Sequence, residues 1–147
     1  MTTQPKRPRS SPRTKSPPAP AATTGAEPRD DAPATPFPIV GIGASAGGLE
    51  ALEQFLGKVP PSSGLAYVVV QHLDPTHKGM IVELLQRATA IPVTQVEDGV
   101  KVAPDHVYVI PPNRDLSILH GALYLLEPAA PRGLRLPIDF FFRALAD

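Results

Sequence analysis

The run Leu65-Ala-Tyr-Val-Val-Val-Gln71 constrains the fold of this chain more than any other stretch. A strand with one face in water alternates apolar and polar residues, whereas this one is apolar and β-branched throughout its centre. Both of its faces must therefore be covered, which is the condition of a strand inside a parallel sheet. The flanking sequence supplies the cover. Phe37 to Gly43, FPIVGIG, reads as a strand ending in glycines. Leu49, Leu52, Phe55 and Leu56 then share one helical face opposite Glu50, Glu53 and Gln54, and Gly57 and Pro60 end that helix. After His72-Leu-Asp-Pro75, Thr76 is placed to cap a helix carrying Met80, Ile81, Leu84, Leu85 and Ala88. Strand, helix, strand and helix with short connections make βαβ units and a parallel sheet.

Past Pro92 the pattern changes. VTQVEDG, HVYVIPPNRD, LSILHG and ALYLLEP are short alternating segments, with turn signals at Asp98-Gly99, Pro112-Asn113 and His120-Gly121. They predict an antiparallel hairpin region beside the parallel sheet. The last segment, LPIDFFFRALAD, predicts a helix beginning near Pro137. It has neither a capping glycine nor a following strand, so the domain is expected to be incomplete at its C-terminal side, with Phe140, Phe141 and Phe142 in danger of being left uncovered.

Residues 1–36 are of another kind. They hold nine of the 20 prolines of the 147-residue chain and no Leu, Ile, Val, Phe, Tyr or Trp. Such a segment cannot bury enough apolar surface to offset the entropy of ordering, so a disordered tail is expected, with the folded domain spanning 37–147. Lys6, Arg7, Arg9, Arg13, Lys15 and Arg29 outnumber Glu27, Asp30 and Asp31 there. Basic residues dispersed among Ser and Pro describe a soluble linker, and no nucleic-acid partner is assigned to them. No apolar run follows the basic residues as in a signal peptide, and none approaches the ~20 residues of a membrane span. Neither membrane insertion nor export is expected, and the compartment inferred is the cytoplasm.

The absence of cysteine excludes disulfides, thiol catalysis and thiolate-bound zinc. Of the four histidines only His72 and His77 are close in sequence, at i and i+5 without H-E-x-x-H around them, so no metal site is assigned. His77 reads as an exposed loop residue, His106 as structural at a strand start, and Asp139 as a partner of its own helix dipole.

Val40 to Leu52, VGIGASAGGLEAL, carries two motifs that exclude one another. Gly41, Gly43 and Gly47 approach a dinucleotide-binding turn, but the third glycine should fall at Ala46. The acid required at the end of the second strand is replaced by Gln71 and His72. Gly43-Ala-Ser45-Ala-Gly47 is instead G-x-S-x-G, a frame for a nucleophilic serine. Loops after successive parallel strands open on the same edge, so Ser45 and His72 can meet if their strands are neighbours. Imidazole is suited to take the hydroxyl proton near neutral pH, and glycines at 43, 47 and 48 would allow a sharp turn and leave backbone N–H groups free for an oxyanion. The competing structural reading has Ser45 capping the helix and His72 satisfied at a polar strand end.

Together, IVGIGASAGGLEAL, YVVVQHLDPTHKGMIVELL, VEDGVKVAPDHVYVIPPNRDL and LPIDFFFRAL closely resemble the catalytic domain of CheB-type chemotaxis protein-glutamate methylesterases. The resemblance implies a doubly wound, three-layer α/β sandwich with a mostly parallel sheet and a hairpin insertion. It implies Ser45 as nucleophile and His72 as general base. The implied reaction is hydrolysis of γ-glutamyl methyl esters on the cytoplasmic helices of methylated chemoreceptors, with glutamine deamidation as a side activity and no cofactor. Three departures accompany it. The third triad member of the family is an aspartate in a G-x-D-G block beyond the last helix seen here, and Asp74, Asp98, Asp105, Asp115 and Asp139 belong to other blocks. Ala46 stands where many members have Thr, a wording similar to that of members fused to CheR-type methyltransferases and sensor modules. The usual phosphoacceptor receiver is replaced by the proline-rich tail. The alternative kept beside the esterase is a non-catalytic module that binds a receptor or signalling partner.

Overall fold

A computed structural model describes residues 36–71, 80–131 and 134–147. The proline-rich stretch up to residue 35, with the disorder expected of it, lies outside the described residues, as does the proposed helix cap at Thr76. In chain order the elements are β1 (Ile39–Ala44), a 3-10 turn (Ala46–Gly48), α1 (Leu49–Leu56), β2 (Ala66–Gln71), α2 (Met80–Ala88), β3 (Val93–Gln95), β4 (Val100–Lys101), β5 (His106–Val109), β6 (Asp115–Leu119), β7 (Ala122–Leu126) and α3 (Pro137–Ala146). Gly57 caps α1 through its N–H to the Glu53 carbonyl, and proline opens α3, as the sequence requires.

β2 is buried at all of its positions because it is flanked on both edges and both faces. Four strands form a parallel sheet in the order β1-β2-β5-β3, and β4-β7-β6 form a small antiparallel sheet. One core lies on the side of α1 and α2, where Leu52, Leu56, Ile81 and Leu85 pack against Tyr67, Val69, Val107 and Val109. The other lies on the opposite face, where Phe141 of α3 and Leu116 and Leu123 of the small sheet pack against Val68, Val70 and Tyr108. Successive residues of β2 thus feed alternate cores, which is the physical content of its unbroken apolar run. Helix layers on both faces make the expected doubly wound three-layer α/β sandwich.

One part of the expectation differs in detail. VTQ and HVYV do not join the hairpins: β3 and β5 enter the parallel sheet, β5 between β2 and β3. His106 gave HVYV the look of a strand with one wet face, yet Val107, Tyr108 and Val109 are all buried. The hairpin insertion consists of β4, β6 and β7. Its turns fall where predicted, with Gly99, Asn113, His120 and Gly121 all at positive φ.

β1 occupies one edge of the parallel sheet, and its glycines have a packing role. A Cβ on Gly43 would lie 2.5 Å from Ile138 Cγ2, and one on Gly41 would lie 2.8 Å from Phe142 Cε1. They form the seat on which α3 approaches the sheet. Phe141 on the inner face of α3 is fully buried, while Phe140 and Phe142 remain 41% and 40% exposed.

Candidate active site

β1 and β2 are parallel neighbours that end together, with Ala44 and Gln71 as register partners. Ser45 and His72 are the residues that follow them. The described structure therefore meets the condition that the sequence reading set for Ser45, namely that the two strands be adjacent. His72 lies outside the described residues, together with Asp74 and His77.

Ser45 is exposed and extended, with φ −89 and ψ 178, and stands between the last residue of β1 and the 3-10 turn that leads into α1. Its hydroxyl makes no capping hydrogen bond. Helix capping, the competing structural reading, is thus not how this serine is used. Its backbone is held firmly instead. The Ser45 carbonyl accepts the Gly48 N–H at 2.9 Å and the Gln71 side-chain Nε2–H at 3.0 Å.

The glycines around Ser45 divide the work differently from the sequence reading. Gly43 is needed for the approach of Ile138, and a Cβ on Gly48 would lie 2.9 Å from Ala44 Cβ. Gly47 has open space around it, with nothing within 4 Å of a Cβ placed there. A phosphate-cradling role for Gly41 and Gly43 is disfavoured by the same contacts, since the side chains of α3 fill the space next to them.

An open, mainly apolar groove of about 540 Å³ runs from Val40 and Phe55 along β1 and α1 to Ser45. Among the described residues no acidic side chain lines it. The described aspartates lie elsewhere. Asp105 accepts from Ser63 Oγ and the Gly64 N–H, beside the start of β2, at the end of the sheet opposite Ser45. Asp98 accepts the Leu125 N–H in the small sheet. Asp115 and Asp139 line a second groove between β6 and α3, together with Arg135 and Arg143. His106 is structural, with Nδ1 2.9 Å from the Pro104 carbonyl and its ring stacked on Tyr108. Among the described residues no cluster of three or more His, Asp or Glu is arranged for a metal ion, and no helix is long and apolar enough to cross a membrane.

Gln71 is the residue at this edge that sequence reasoning passed over. In the sequence it stands only where a dinucleotide site would need an acid. The available signal was an amide at the end of a run buried on both faces, because a buried amide needs a partner.

Comparison with known proteins agrees with this geometry. Residues 40–147 match the family model of the CheB methylesterase. A protein-glutamate methylesterase/protein-glutamine glutaminase of Yersinia pestis is 36% identical over 113 residues, covering 74% of this chain and 32% of that protein. The protein of the same description from Pectobacterium atrosepticum is 36% identical over 112 residues with the same coverage. This chain thus spans about a third of the length of the curated relatives it matches. The crystal structure of the Thermotoga maritima CheB methylesterase catalytic domain superposes with a TM-score of 0.66 at 27% identity, covering 76% of this chain and 61% of that one.

Proposed function

The chain belongs to the CheB methylesterase family, and from that premise we propose that it carries the nucleophile and base of a protein-glutamate methylesterase acting in chemotaxis. The observation that carries this reading is Ser45: an exposed, uncapped serine at the carboxyl edge of the sheet, its own backbone clamped, beside the strand that leads to His72. The substrate class is the γ-glutamyl methyl ester on cytoplasmic helices of methylated chemoreceptors, with glutamine amides as a second substrate.

The chemistry is acyl transfer. Ser45 Oγ attacks the ester carbonyl carbon while His72 takes the hydroxyl proton. Charge collects on the carbonyl oxygen, where N–H groups at the start of the turn after Ser45 hold it. The intermediate collapses, the C–O bond to the methoxy group breaks, and His72 passes its proton to that oxygen to release methanol. Water then attacks the acyl-enzyme with His72 as base, freeing Ser45 and a glutamate carboxylate. The apolar groove along β1 and α1 ends at Ser45 and suits the aliphatic part of a substrate.

We assign the acid that orients His72 to the family's G-x-D-G block, as the resemblance implies; that no described aspartate lines the groove supports this assignment. Loss of that acid in a serine triad costs on the order of 10⁴ in turnover. The G-A-S-A-G-G-L-E-A-L block supports a place in a cytoplasmic polypeptide that also carries a CheR-type methyltransferase and sensor modules. In this reading residues 1–36 are a disordered tail and 37–147 the methylesterase portion.

The test is labelling with an alkyl fluorophosphonate, read by intact mass and peptide mapping. Modification at Ser45 is expected, absent in Ser45→Ala, slowed in His72→Ala and accelerated in a chain extended through the G-x-D-G block. A folded extended chain that stays unlabelled at Ser45 refutes the esterase reading and favours a module that only binds its partner.

A further inference from the structure

Gln71 ends β2 only 6% exposed, and apart from tyrosines it is the one buried residue with a polar side chain among the described residues. Its Nε2–H reaches the Ser45 carbonyl at 3.0 Å, whereas its Oε1 has no hydrogen-bond partner among the described residues. The link to Ser45 is therefore the bond for which this amide is placed. The same carbonyl also takes the Gly48 N–H at 2.9 Å, so both of its lone pairs are used.

A doubly bonded carbonyl fixes the plane of its whole peptide unit. In a trans peptide the N–H points opposite to the C=O. With the Ser45 carbonyl directed at Gln71 and Gly48, the Ala46 N–H is directed away from them. Ala46 opens the 3-10 turn, so its N–H is one of those that a helical start leaves without a partner inside the turn. In a G-x-S-x-G nucleophile elbow the N–H of the residue after the serine is one of the donors that hold the oxyanion.

We propose that Gln71 is a positioning residue: by donating to the Ser45 carbonyl it aims the Ala46 N–H at the oxyanion formed when Ser45 attacks. The proposal rests on the reading of Ser45 as nucleophile. Donor chemistry is the requirement. A carboxylate at position 71 would face the carbonyl with a second acceptor, and an aliphatic side chain would leave the peptide unit held by Gly48 alone.

The experiment compares the chain extended through the G-x-D-G block with its Gln71→Leu and Gln71→Glu variants. Fluorophosphonate labelling is followed as a function of probe concentration, which separates probe binding from the step in which Ser45 Oγ displaces fluoride from phosphorus. Removal of a single oxyanion donor costs about 10²–10³ in rate. Misaiming one is expected to lower the limiting labelling rate by about 10- to 100-fold, with the half-saturating probe concentration unchanged and the Ala46 amide resonance shifted. Gln71→Glu is expected to lose most rate at alkaline pH and to recover relative to wild type as the pH falls, because a protonated carboxyl can donate to the Ser45 carbonyl. If Gln71→Leu fails to fold, this pH signature in Gln71→Glu decides the matter. Wild-type labelling with folded variants that react at the same rate and keep the Ala46 resonance in place overturns the positioning role and leaves the esterase reading standing. A folded extended chain with wild-type Gln71 that is never labelled overturns both.

Discussion

Gly43→Ala probes the joint between the site and its support. The added Cβ would lie 2.5 Å from Ile138 Cγ2 and 3.1 Å from Phe142 Cε2. Carbon atoms in good contact are ~3.5–4.0 Å apart, so the first distance is short by about 1 Å. Ile138 cannot simply turn aside, because a β-branched side chain in a helix has one strongly preferred χ1 rotamer. Nor can α3 lift freely while Phe141 is fully buried beneath it. Overpacking of this kind costs ~1–3 kcal/mol, and replacing glycine returns ~0.4–1 kcal/mol by restricting the unfolded chain. The expected net loss is about 1–2 kcal/mol. In a domain of roughly 100 residues that lowers Tm by about 4–15 °C. The assay is thermal and urea unfolding followed by circular dichroism. Gly47→Ala is the control, since nothing lies within 4 Å of a Cβ there, and it should melt at or slightly above the wild type. Ile138→Ala removes the clashing methyl, so the Gly43→Ala/Ile138→Ala double variant should be less destabilised than the sum of the single variants by about 1 kcal/mol. Gly43→Ala melting with the wild type, or strict additivity in the double variant, would show that β1 and α3 are not in the contact described.

Three further outcomes are expected. Ser45→Ala should abolish labelling while keeping stability within about 0.5 kcal/mol, because the side chain is exposed and caps nothing; a large drop in Tm would restore the structural reading of the serine. Asp105→Ala should lower stability by about 1.5–3 kcal/mol, since it strands the Ser63 hydroxyl and the Gly64 N–H and puts alanine at φ 58. Asp105→Asn, which keeps an acceptor and tolerates that backbone, should recover part of the loss in a urea titration. Phe141→Ala should cost about 3–5 kcal/mol and free α3 from the sheet, read as loss of cooperative unfolding.

Elements whose signals are local were legible in advance. The unbroken run to Gln71 demanded two covered faces, Gly57 and Pro137 marked helix ends, and Asp98-Gly99 and His120-Gly121 marked turns that need left-handed backbone. The sequence also set the condition that β1 and β2 be neighbours for Ser45 and His72 to meet, and the two strands are adjacent. Periodicity reports which faces of a segment are buried. It does not report which strand lies alongside, and so HVYV read as a hairpin strand although it sits inside the parallel sheet.

The sequence by itself thus determined the layered α/β class and the placing of Ser45 and His72 next to strand ends. The tertiary structure alone decided what Gly43 and Gln71 touch. Gly43 read as turn chemistry for the serine, yet its missing side chain makes room for Ile138 from a helix at the far end of the chain. Gln71 read as a failed cofactor acid, yet its amide holds the peptide on which Ser45 stands. Both roles are set by atoms distant in sequence, and the energy of a contact depends on distance in space, which no local pattern of residues records.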